Sequence, residues 1–422
     1  MNAPSTQRIA LIHDWLVGYA GGGERVLEQM IGLYPQAELY AAIDTLADAN
    51  REFLHGKRPI TSFAQRVPLV ARHYRGFLPL LMFAMEQLDL SQHELVLSSS
   101  VSVARGVLTG PDQLHIAYVH SPMRYAWDLQ HQYLREARLD RGVKSLLARW
   151  MLHRARFWDL RCANGVDYFI ANSQFIARRI WKVYRRRAVV IHPPVDVEHF
   201  DLRTQKEDFY LTASRLVPYK KIATVADAFR LLPDRRLVVV GGGPEMARVK
   251  AAAGRNVEVL GFQPAAQLRE LMQRARAFVF AAEEDFGIAP IEAQACGTPV
   301  IAYGRGGALE SVRPPGSGAP TGLFFDAQTP ASIAAAVREF ERKQALFEPA
   351  ACRENALRFS SERFRAQYQG LIERYWQAFK SGRPLSDSAE TPLGVVHAVP
   401  SPGPRGRIEA GGVSAIQTVR RD

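Results

Sequence analysis

Cysteine is scarce in this 422-residue sequence: Cys162, Cys296 and Cys352 are far apart, and none belongs to a Cys-x-x-Cys pair. This scarcity argues against a disulfide framework or a zinc site and is typical of a reducing cytoplasm. No apolar run reaches the roughly eighteen residues of a transmembrane helix. The N-terminal residues lack a basic segment followed by a long apolar core, so no secretory signal is predicted and we expect a cytoplasmic protein.

Acidic residues are in the minority, because 54 lysines and arginines against 42 acidic residues give a formal net charge of +12. The basic residues concentrate at 135–161 and 178–187, where they are interleaved with Leu, Trp and Phe. Two interpretations stay open: solvated helix faces, or a surface that attracts anionic lipid headgroups or a lipid-diphosphate acceptor at the inner face of the cytoplasmic membrane. No nucleic-acid-binding motif is recognisable, so nucleic acid is the least favoured partner.

Short apolar runs that alternate with helical periodicity predict an α/β protein with room for two domains. The first run, 8–12, leads into the glycine-rich turn 18–23 and a helix over 24–34. Val26 occupies the position of the last glycine in the dinucleotide-binding fingerprint, and no Walker lysine follows the turn. The turn therefore argues against a dehydrogenase and against a P-loop enzyme.

Residues 275–303 predict a strand, an acidic turn, a helix with Pro290 at its first position, and a second strand. The start of a helix presents unpaired N–H groups and the positive end of the helix dipole. The loop that leads into this helix is therefore a predicted phosphate seat, and it consists of Phe286, Gly287, Ile288 and Ala289.

Two carboxylates, Glu284 and Glu292, frame this phosphate seat. A diphosphate repels a carboxylate, so we assign Glu292 to a ribose diol and Glu284 to the hydroxyls of a sugar. Amides for phosphates and carboxylates for hydroxyls together indicate a nucleotide sugar. The alternative is a solvated acidic turn and a helix-capping charge, which is the common origin of such pairs.

The sequence from Glu284 to Glu292, with the Cys-Gly-Thr-Pro-Val that comes soon after it, resembles the Glu-(seven residues)-Glu signature of the retaining glycosyltransferases of family 4. The intervening Phe-Gly and Pro fit that pattern as well as the two acids do. The resemblance extends over residues 8–380. It implies the GT-B fold, in which two Rossmann-like α/β domains face each other across a cleft and a C-terminal helix crosses back to the N-terminal domain.

On this pattern the chain divides into an acceptor-side domain at 1–192, a linker at 193–207 and a donor-binding domain at 208–360. Consecutive prolines at the start of the linker predict a stiff hinge. The crossover helix takes 361–380. Residues 381–422 are rich in Pro, Gly and Ser without apolar periodicity, so we expect a disordered tail.

The resemblance also assigns the groups that meet the donor's phosphates. Gly21 and Gly22 match paired glycines through which the N-terminal domain lets its backbone approach these phosphates. Arg215 and Lys220 match an Arg-(four residues)-Lys element that neutralises the diphosphate and stabilises it as it leaves. Lys221 stands where the family commonly has glycine, which leaves open which of the two lysines points inward.

His120, in His-Ser-Pro-Met-Arg-Tyr, resembles the family histidine that reaches the donor sugar near the reacting carbon. For Arg124 and Asp128, two roles are equally favoured: they hold the acceptor, or they pair with each other. No metal or other cofactor is expected, because the two cations of the C-terminal half carry the charge of the leaving group. The sequence also has no Asp-x-Asp element and no credible metal-binding cluster.

The resemblance implies a retaining glycosyltransferase that moves mannose from GDP-mannose to a lipid-linked or polysaccharide acceptor in surface glycan biosynthesis. GDP is favoured because His-Asp-Trp-Leu and Ser-Arg-Leu-Val-Pro-Tyr-Lys are closest to mannosyltransferase-like members. Three alternatives stay open: a UDP-sugar-dependent glycosyltransferase, a nucleotide-sugar epimerase of the same fold, and a non-enzymatic scaffold that uses the basic helices at a membrane surface.

Overall fold

Two parallel β-sheets organise the residues that the computed structural model describes, 8–18 and 21–382. The first sheet has seven strands and lies in the N-terminal half, and the second has six strands and lies in the C-terminal half. The predicted pair of Rossmann-like α/β units is confirmed. The predicted disordered tail, 381–422, lies outside the described residues from position 383 onward.

The N-terminal strands are β1 (Ile9–His13), β2 (Glu38–Ala41), β3 (Ile60–Thr61), β4 (Leu95–Ser100), β5 (Leu114–Val119), β6 (Tyr168–Ala171) and β7 (Ala188–Val190). The helices of this half are α1 (Gly22–Leu33), α2 (Val70–His73), α3 (Leu78–Glu86), α4 (Gln130–Glu136), α5 (Val143–Asn164) and α6 (Gln174–Tyr184). The central strands β4 and β5 are buried along their whole lengths, as expected for parallel strands covered on both faces by helices.

The C-terminal strands are β8 (Phe209–Ala213), β9 (Arg236–Val240), β10 (Val257–Gly261), β11 (Ala277–Phe280), β12 (Val300–Tyr303) and β13 (Gly322–Phe325). The helices are α7 (Ile222–Arg230), α8 (Met246–Ala252), α9 (Ala265–Arg274), α10 (Ile288–Ala295), α11 (Ala308–Ser311), α12 (Pro330–Arg342), α13 (Pro349–Leu357) and α14 (Ser361–Lys380). Side chains cap several helix starts, and the Thr329 hydroxyl at the start of α12 accepts the N–H of Ser332.

The strand order of each sheet fixes where a ligand can bind. The orders are β3-β2-β1-β4-β5-β6-β7 and β10-β9-β8-β11-β12-β13. In each sheet the direction in which successive strands are added reverses once, between β1 and β4 in the first sheet and between β8 and β11 in the second. Ligands of open α/β sheets bind outside the carboxyl ends of the strands at such reversals. The second reversal brings together the segments 214–221 and 281–287, which hold the predicted cations and the acidic turn.

The final helix joins the two halves. Phe364, Tyr368, Leu371 and Trp376 of α14 are buried in the core of the N-terminal half, together with Leu11 of β1. The predicted return of the C-terminal helix to the N-terminal unit is confirmed. The span predicted as the linker, 193–207, contains no strand and one short 3₁₀ turn, Val197–His199. Its residue Val195 pairs with Ser360, directly before α14.

Two predicted helix starts differ from the structure. Helix α1 begins at Gly22 rather than at Glu24, because Gly21 serves as the N-cap and its N–H is bonded by the Glu24 carboxylate. Helix α10 begins at Ile288, so Pro290 is its third residue rather than its first. None of the helices in the described part of the chain is long and apolar enough to cross a membrane.

Candidate active site

The segment after β8 carries the two predicted diphosphate-binding cations. Its backbone is held by the glycine turn after β9, where the N–H of Leu216 donates to the carbonyl of Gly242 at 2.9 Å. Gly241 has a φ of +138°, and a Cβ there would lie 1.8 Å from the carbonyl oxygen of Ser214. Only glycine allows so close an approach, so this turn fixes the backbone next to Arg215.

Lys220 and Lys221 have different environments. The Lys220 ammonium contacts the Glu284 carboxylate, and both side chains are mostly buried. Lys221 has a left-handed backbone with a φ of +58° at the start of α7. This conformation explains why glycine is common at this position in the family pattern. The structure therefore brings Lys220, rather than Lys221, to the acidic turn.

Opposing effects act on the charge of Lys220. Burial of the ammonium, reinforced by the guanidinium groups of Arg215 and Arg124, lowers the pKa of Lys220 to about 7. The Glu284 carboxylate adds a further and opposite influence, because a carboxylate in contact favours the ammonium form. Among the described residues, no carboxylate lies within ion-pair distance of Arg215. The segment thus presents one cation without a protein counter-charge and one that depends on Glu284.

The acidic turn is supported by Gly307, in the loop after β12. The N–H of Gly307 donates to the carbonyl of Glu284 at 2.9 Å. A Cβ on Gly307 would lie 2.3 Å from the Cα of Phe286, so the loop after β12 presses directly on the turn. This contact holds Glu284 in place from behind.

The predicted phosphate seat is present in part. Gly287 has a φ of +89° and forms the N-cap of α10, so the N–H groups of Ile288 and Ala289 are free of helix partners. Pro290 at the third position supplies no N–H, which limits the seat to two helical amides. Phe286 does not turn its ring toward the seat, because it is buried and stacks on His192 at 5.3 Å. Only its backbone can serve a ligand.

Glu292 lies one turn further into α10 than its predicted place. Its carboxylate is mostly buried and lies 3.1 Å from the guanidinium of Arg25, a residue of α1 in the other half of the chain. Burial raises the pKa of Glu292, and the charge of Arg25 opposes that rise. A cavity of about 610 Å³ opens beside these two side chains, and Leu268 and Arg269 of α9 form part of its wall.

The glycine turn of the N-terminal half approaches this site closely. A Cβ on Gly22 would lie 3.0 Å from Cδ1 of Ile288, the first residue of α10. A Cβ at position 22 would therefore require the Ile288 side chain to shift by a few tenths of an ångström. Gly22, in the first turn of α1, therefore lies beside the start of α10. The role of Gly21 and Gly22 at the donor's phosphates stays a prediction.

His120 follows β5 directly and is buried near the glycine turn. Its carbonyl accepts a hydrogen bond from the Asn172 amide at 2.9 Å. Its Nε2 lies 2.9 Å from Oγ of Ser99 in β4. Burial lowers the pKa of His120 to about 3, so the ring is neutral at physiological pH.

Arg124 and Asp128 do not pair with each other. Arg124 lies 3.0 Å from the Asp285 carboxylate, and Asp128 lies 2.8 Å from the guanidinium of Arg179. Arg179 also pairs with Asp285 at 2.8 Å, and the hydroxyl of Ser173 donates to the carbonyl of Asp285 at 2.6 Å. The acidic turn therefore binds the N-terminal half through Asp285, which the sequence gave no reason to single out.

A second cross-domain carboxylate has a similar role. Glu310 of α11 accepts the N–H groups of Gln174 and Phe175 at 2.8 and 3.1 Å, so it caps the start of α6 in the other half. It also lies 3.0 Å from Nε2 of His192. Sequence patterns reveal helix caps formed between residues a few positions apart. This cap joins residues more than 130 positions apart, so the sequence could not reveal it.

The site can thus offer helix amides and cations to phosphates, and carboxylates to hydroxyls. Within the described ranges, no group of three or more His, Cys, Asp and Glu residues is arranged to hold a metal ion.

Two known family profiles match the chain. One, described as Glycosyltransferase Family 4, covers residues 20–199, and the other, described as Glycosyl transferases group 1, covers residues 194–359. Together they cover residues 20–359, which include every predicted site residue and every strand except β1. The chain belongs to glycosyltransferase family 4.

This family 4 protein is similar to enzymes from actinobacteria. The D-inositol 3-phosphate glycosyltransferase of Segniliparus rotundus is 30% identical over 244 residues, which are 51% of this chain and 53% of that protein. The GDP-mannose-dependent alpha-(1-6)-phosphatidylinositol monomannoside mannosyltransferase of Mycolicibacterium smegmatis is 31% identical over 193 residues, 38% of this chain and 50% of that protein. The chain thus spans about half the length of the curated relatives it matches.

Solved structures share the fold. HepE of Anabaena, solved in complex with UDP, has a TM-score of 0.62 at 17% identity, covering 87% of this chain and 100% of that one. Sucrose-phosphate synthase of Thermosynechococcus elongatus has a TM-score of 0.64 at 18% identity, covering 88% and 100%. At this identity the likeness establishes the GT-B fold alone.

Proposed function

We propose that this protein is a retaining glycosyltransferase that moves a hexose from a nucleotide diphosphate donor to a lipid-linked or polysaccharide acceptor. The single observation that carries the proposal is the cation cluster at the second sheet reversal. Arg215 and Arg124 lie close enough to Lys220 to lower its pKa, and Arg215 has no carboxylate partner among the described residues. Arg215 is exposed and Lys220 beside it is mostly buried, so the segment presents an excess of positive charge to a ligand. Such an excess favours an anionic ligand, and a diphosphate has the required charge.

Arg215 and Lys220 would stabilise the charge that develops on the departing diphosphate. Fixed cations in a site with little water are among the strongest catalytic devices, and removal of one such group costs about 3 kcal/mol of transition-state stabilisation. The amides of Ile288 and Ala289 would bind the same phosphates. Glu292 would hold the ribose diol.

Glu284 and His120 would act at the sugar. Glu284 would orient the sugar hydroxyls once the diphosphate takes over its contact with Lys220. His120 would contact the sugar near the reacting carbon, as a neutral ring that can accept or donate one hydrogen bond. The departing phosphate oxygen can itself accept the acceptor's proton, so no separate base is needed.

We favour mannose from GDP-mannose as the donor. The support is the name of the Mycolicibacterium smegmatis relative, which specifies GDP-mannose and a phosphatidylinositol-linked acceptor. A UDP-sugar is the alternative. No contact in the described residues selects one base over the other.

A thermal-shift screen of GDP, UDP, ADP and their sugars tests this donor assignment, and we expect GDP-mannose to give the largest increase in unfolding temperature. Incubation of the purified protein with the selected donor alone then separates transfer from epimerisation. Recovery of the unchanged sugar supports a transferase, whereas a changed sugar in the absence of acceptor would identify an epimerase.

The acceptor side of the proposal rests on α5. Five apolar side chains of this helix are largely exposed: Val143 84%, Leu146 69%, Leu147 58%, Trp150 60% and Phe157 59%. Their spacing of three and four residues places them on one face. Lys144, Arg154 and Lys182 have no carboxylate within ion-pair distance in the described part of the chain. An apolar face among unpaired cations suits an anionic bilayer surface that holds a lipid-linked acceptor.

Liposome co-sedimentation tests this surface. We expect binding to anionic vesicles that weakens as salt rises, because each surface cation contributes about 1 kcal/mol and salt screens that attraction over about 10 Å at 0.1 M. Trp150→Ser should weaken the binding, while Leu346→Ser, which removes an exposed apolar side chain from the C-terminal half, should not. Equal partitioning onto neutral and anionic vesicles would contradict the proposed surface.

A further inference from the structure

Two histidines and a serine are connected at the first sheet reversal, and the roles proposed above use only one of them. His13 ends β1, Ser99 is its partner in the β1–β4 register, and His120 follows β5. The Ser99 hydroxyl lies 2.9 Å from Nε2 of His120 and 3.3 Å from Nδ1 of His13. All three side chains are buried.

Glu24 extends this set to the glycine turn. Its Oε1 lies 3.9 Å from Nε2 of His13, and its Oε2 accepts the N–H of Gly21 at 2.9 Å. Burial raises the pKa of Glu24, but the interaction with His13 and the backbone N–H groups of Glu24 and Gly21 together outweigh burial and hold the pKa at about 2. The side chain is therefore a carboxylate at neutral pH, and a carboxylate can only accept hydrogen bonds.

We infer that Glu24 fixes the tautomer of His120 through His13 and Ser99, and so makes Nδ1 of His120 a hydrogen-bond acceptor. Because the carboxylate faces Nε2 of His13, the neutral form of the His13 ring carries its proton on that nitrogen, and Nδ1 of His13 accepts. The Ser99 hydroxyl then donates to His13, and its oxygen accepts the proton on Nε2 of His120. A neutral imidazole has one N–H, so Nδ1 of His120 keeps a lone pair.

This inference deepens the proposed function and rests on it for its consequence. If His120 contacts the donor sugar, its Nδ1 accepts a proton from a sugar hydroxyl and rejects a group that can only accept. Glu24, His13 and Ser99 are then positioning residues, since they act on the sugar through His120.

Glu24 also caps helix α1, and the variant Glu24→Gln separates this capping role from the effect of Glu24 on His120. The carboxylate caps α1 by accepting the Gly21 N–H, and glutamine serves equally well at that position of a capping box. In Glu24→Gln the amide oxygen keeps the cap, and the amide NH₂ turns toward His13. His13 then carries its proton on Nδ1 and donates it to Ser99, and the Ser99 hydroxyl donates to Nε2 of His120. This chain of hydrogen bonds, the relay, therefore leaves His120 with its proton on Nδ1.

The experiment reads the tautomer of His120 in the full chain. Histidine is labelled with ¹⁵N, two-bond proton–nitrogen spectra are recorded near pH 7, and the His120 signals are identified by their loss in His120→Gln. We expect the Nε2–H form in the unmodified protein and the Nδ1–H form in Glu24→Gln. A wild-type Nδ1–H form, or the same tautomer in both proteins, would overturn the inference.

Two serine variants complete the test. In Ser99→Ala the connection is lost, so adding Glu24→Gln should no longer change the His120 spectrum. Ser98→Ala is the matched control, because it removes a buried hydroxyl that lies 2.9 Å from Nε2 of His115, outside the relay. It should leave the His120 tautomer unchanged and still responsive to Glu24→Gln. A response that survives in Ser99→Ala would refute the relay.

Activity supplies an independent reading. A sugar hydroxyl that meets an N–H instead of a lone pair must rotate to accept from it and loses the hydrogen bond that its own proton donated. We therefore expect kcat/KM for the donor to fall about tenfold in Glu24→Gln, with little change in unfolding temperature. A protein that turns over no nucleotide sugar would refute the proposed function, whereas the spectra would still decide the tautomer.

Discussion

Removal of the Glu284 carboxylate should move the titration of Lys220 from near neutral pH to lower pH. Burial and the guanidinium groups of Arg215 and Arg124 lower the pKa of Lys220 to about 7, with Asp285 as a minor opposing charge. The Glu284 contact favours the ammonium form. In Glu284→Gln that influence is gone, while burial and the two guanidinium groups remain, so the pKa of Lys220 should fall further.

The size of the effect follows from this pKa. A group with a pKa of about 7 is about nine-tenths protonated at pH 6 and about one-tenth protonated at pH 8. A bound diphosphate brings two negative charges to the ammonium and restores the protonated form. Donor binding to the wild type should therefore take up about 0.9 proton at pH 8 and about 0.1 at pH 6. In Glu284→Gln the pKa of Lys220 is lower still, so the uptake at pH 6 should exceed that of the wild type.

Isothermal titration calorimetry with a nucleotide sugar measures this uptake. At each pH, the observed enthalpy is plotted against the ionisation enthalpy of several buffers, and the slope is the number of protons. A nucleotide sugar is preferable to a free nucleoside diphosphate, whose terminal phosphate itself titrates near neutrality.

Two controls are needed. Glu283→Gln changes the neighbouring, exposed carboxylate and should behave as wild type, and adding Lys220→Met to Glu284→Gln should abolish the uptake. Equal uptake at pH 6 in wild type and Glu284→Gln, or uptake that survives Lys220→Met, would refute the reasoning.

Three further predictions concern the carboxylates of the acidic turn and α10. Glu292→Gln should weaken the binding of free nucleotide about tenfold, whereas Glu284→Gln should preserve that affinity and lower turnover; the same effect in both would contradict the separate roles. Arg25→Gln leaves Glu292 buried without its cation, so the pKa of Glu292 should rise further and nucleotide affinity should increase with pH as the carboxylate ionises. Titrations between pH 5 and 8 that show no such increase would be inconsistent with this assignment. Asp285→Asn disrupts two mostly buried ion pairs and should lower the free energy of unfolding by about 3 kcal/mol; an unchanged denaturant midpoint would show that this contact contributes nothing.

The sequence predicted the sheets well because their signals are local. Central parallel strands are buried on both faces, so the sequences of β5 (Leu114–Val119) and β8 (Phe209–Ala213) are largely apolar, with one polar residue in each. Helix starts were less certain. Gly22 is a poor helix former on its own, and only the bond between Glu24 and the N–H of Gly21 extends α1 to it.

The partners of the site residues could not be predicted from spacing. The Arg25–Glu292 pair joins helix α1 of the N-terminal half to helix α10 of the C-terminal half, and the sequence around neither residue specifies the other. Asp14 is a site residue that the sequence could have indicated, because it follows the first strand directly. Its carboxylate accepts N–H groups of Ser102 and Ala104 at 3.1 and 2.7 Å and so holds the loop after β4. A buried acid at the end of a strand needs such donors, although the sequence does not say where they lie.

The pairs seen at the site explain why its charges persist without a donor. A buried carboxylate or ammonium tends to become neutral when it has no partner. Arg25 opposes that tendency at Glu292, and Glu284 opposes it at Lys220. Each partner thus shifts its neighbour toward the charged form that a ribose diol or a diphosphate requires. Donor binding then exchanges one set of contacts for another, and the donor's affinity is the difference between them. A substitution that removes only the protein partner should therefore change the pH dependence of binding before it changes the fold.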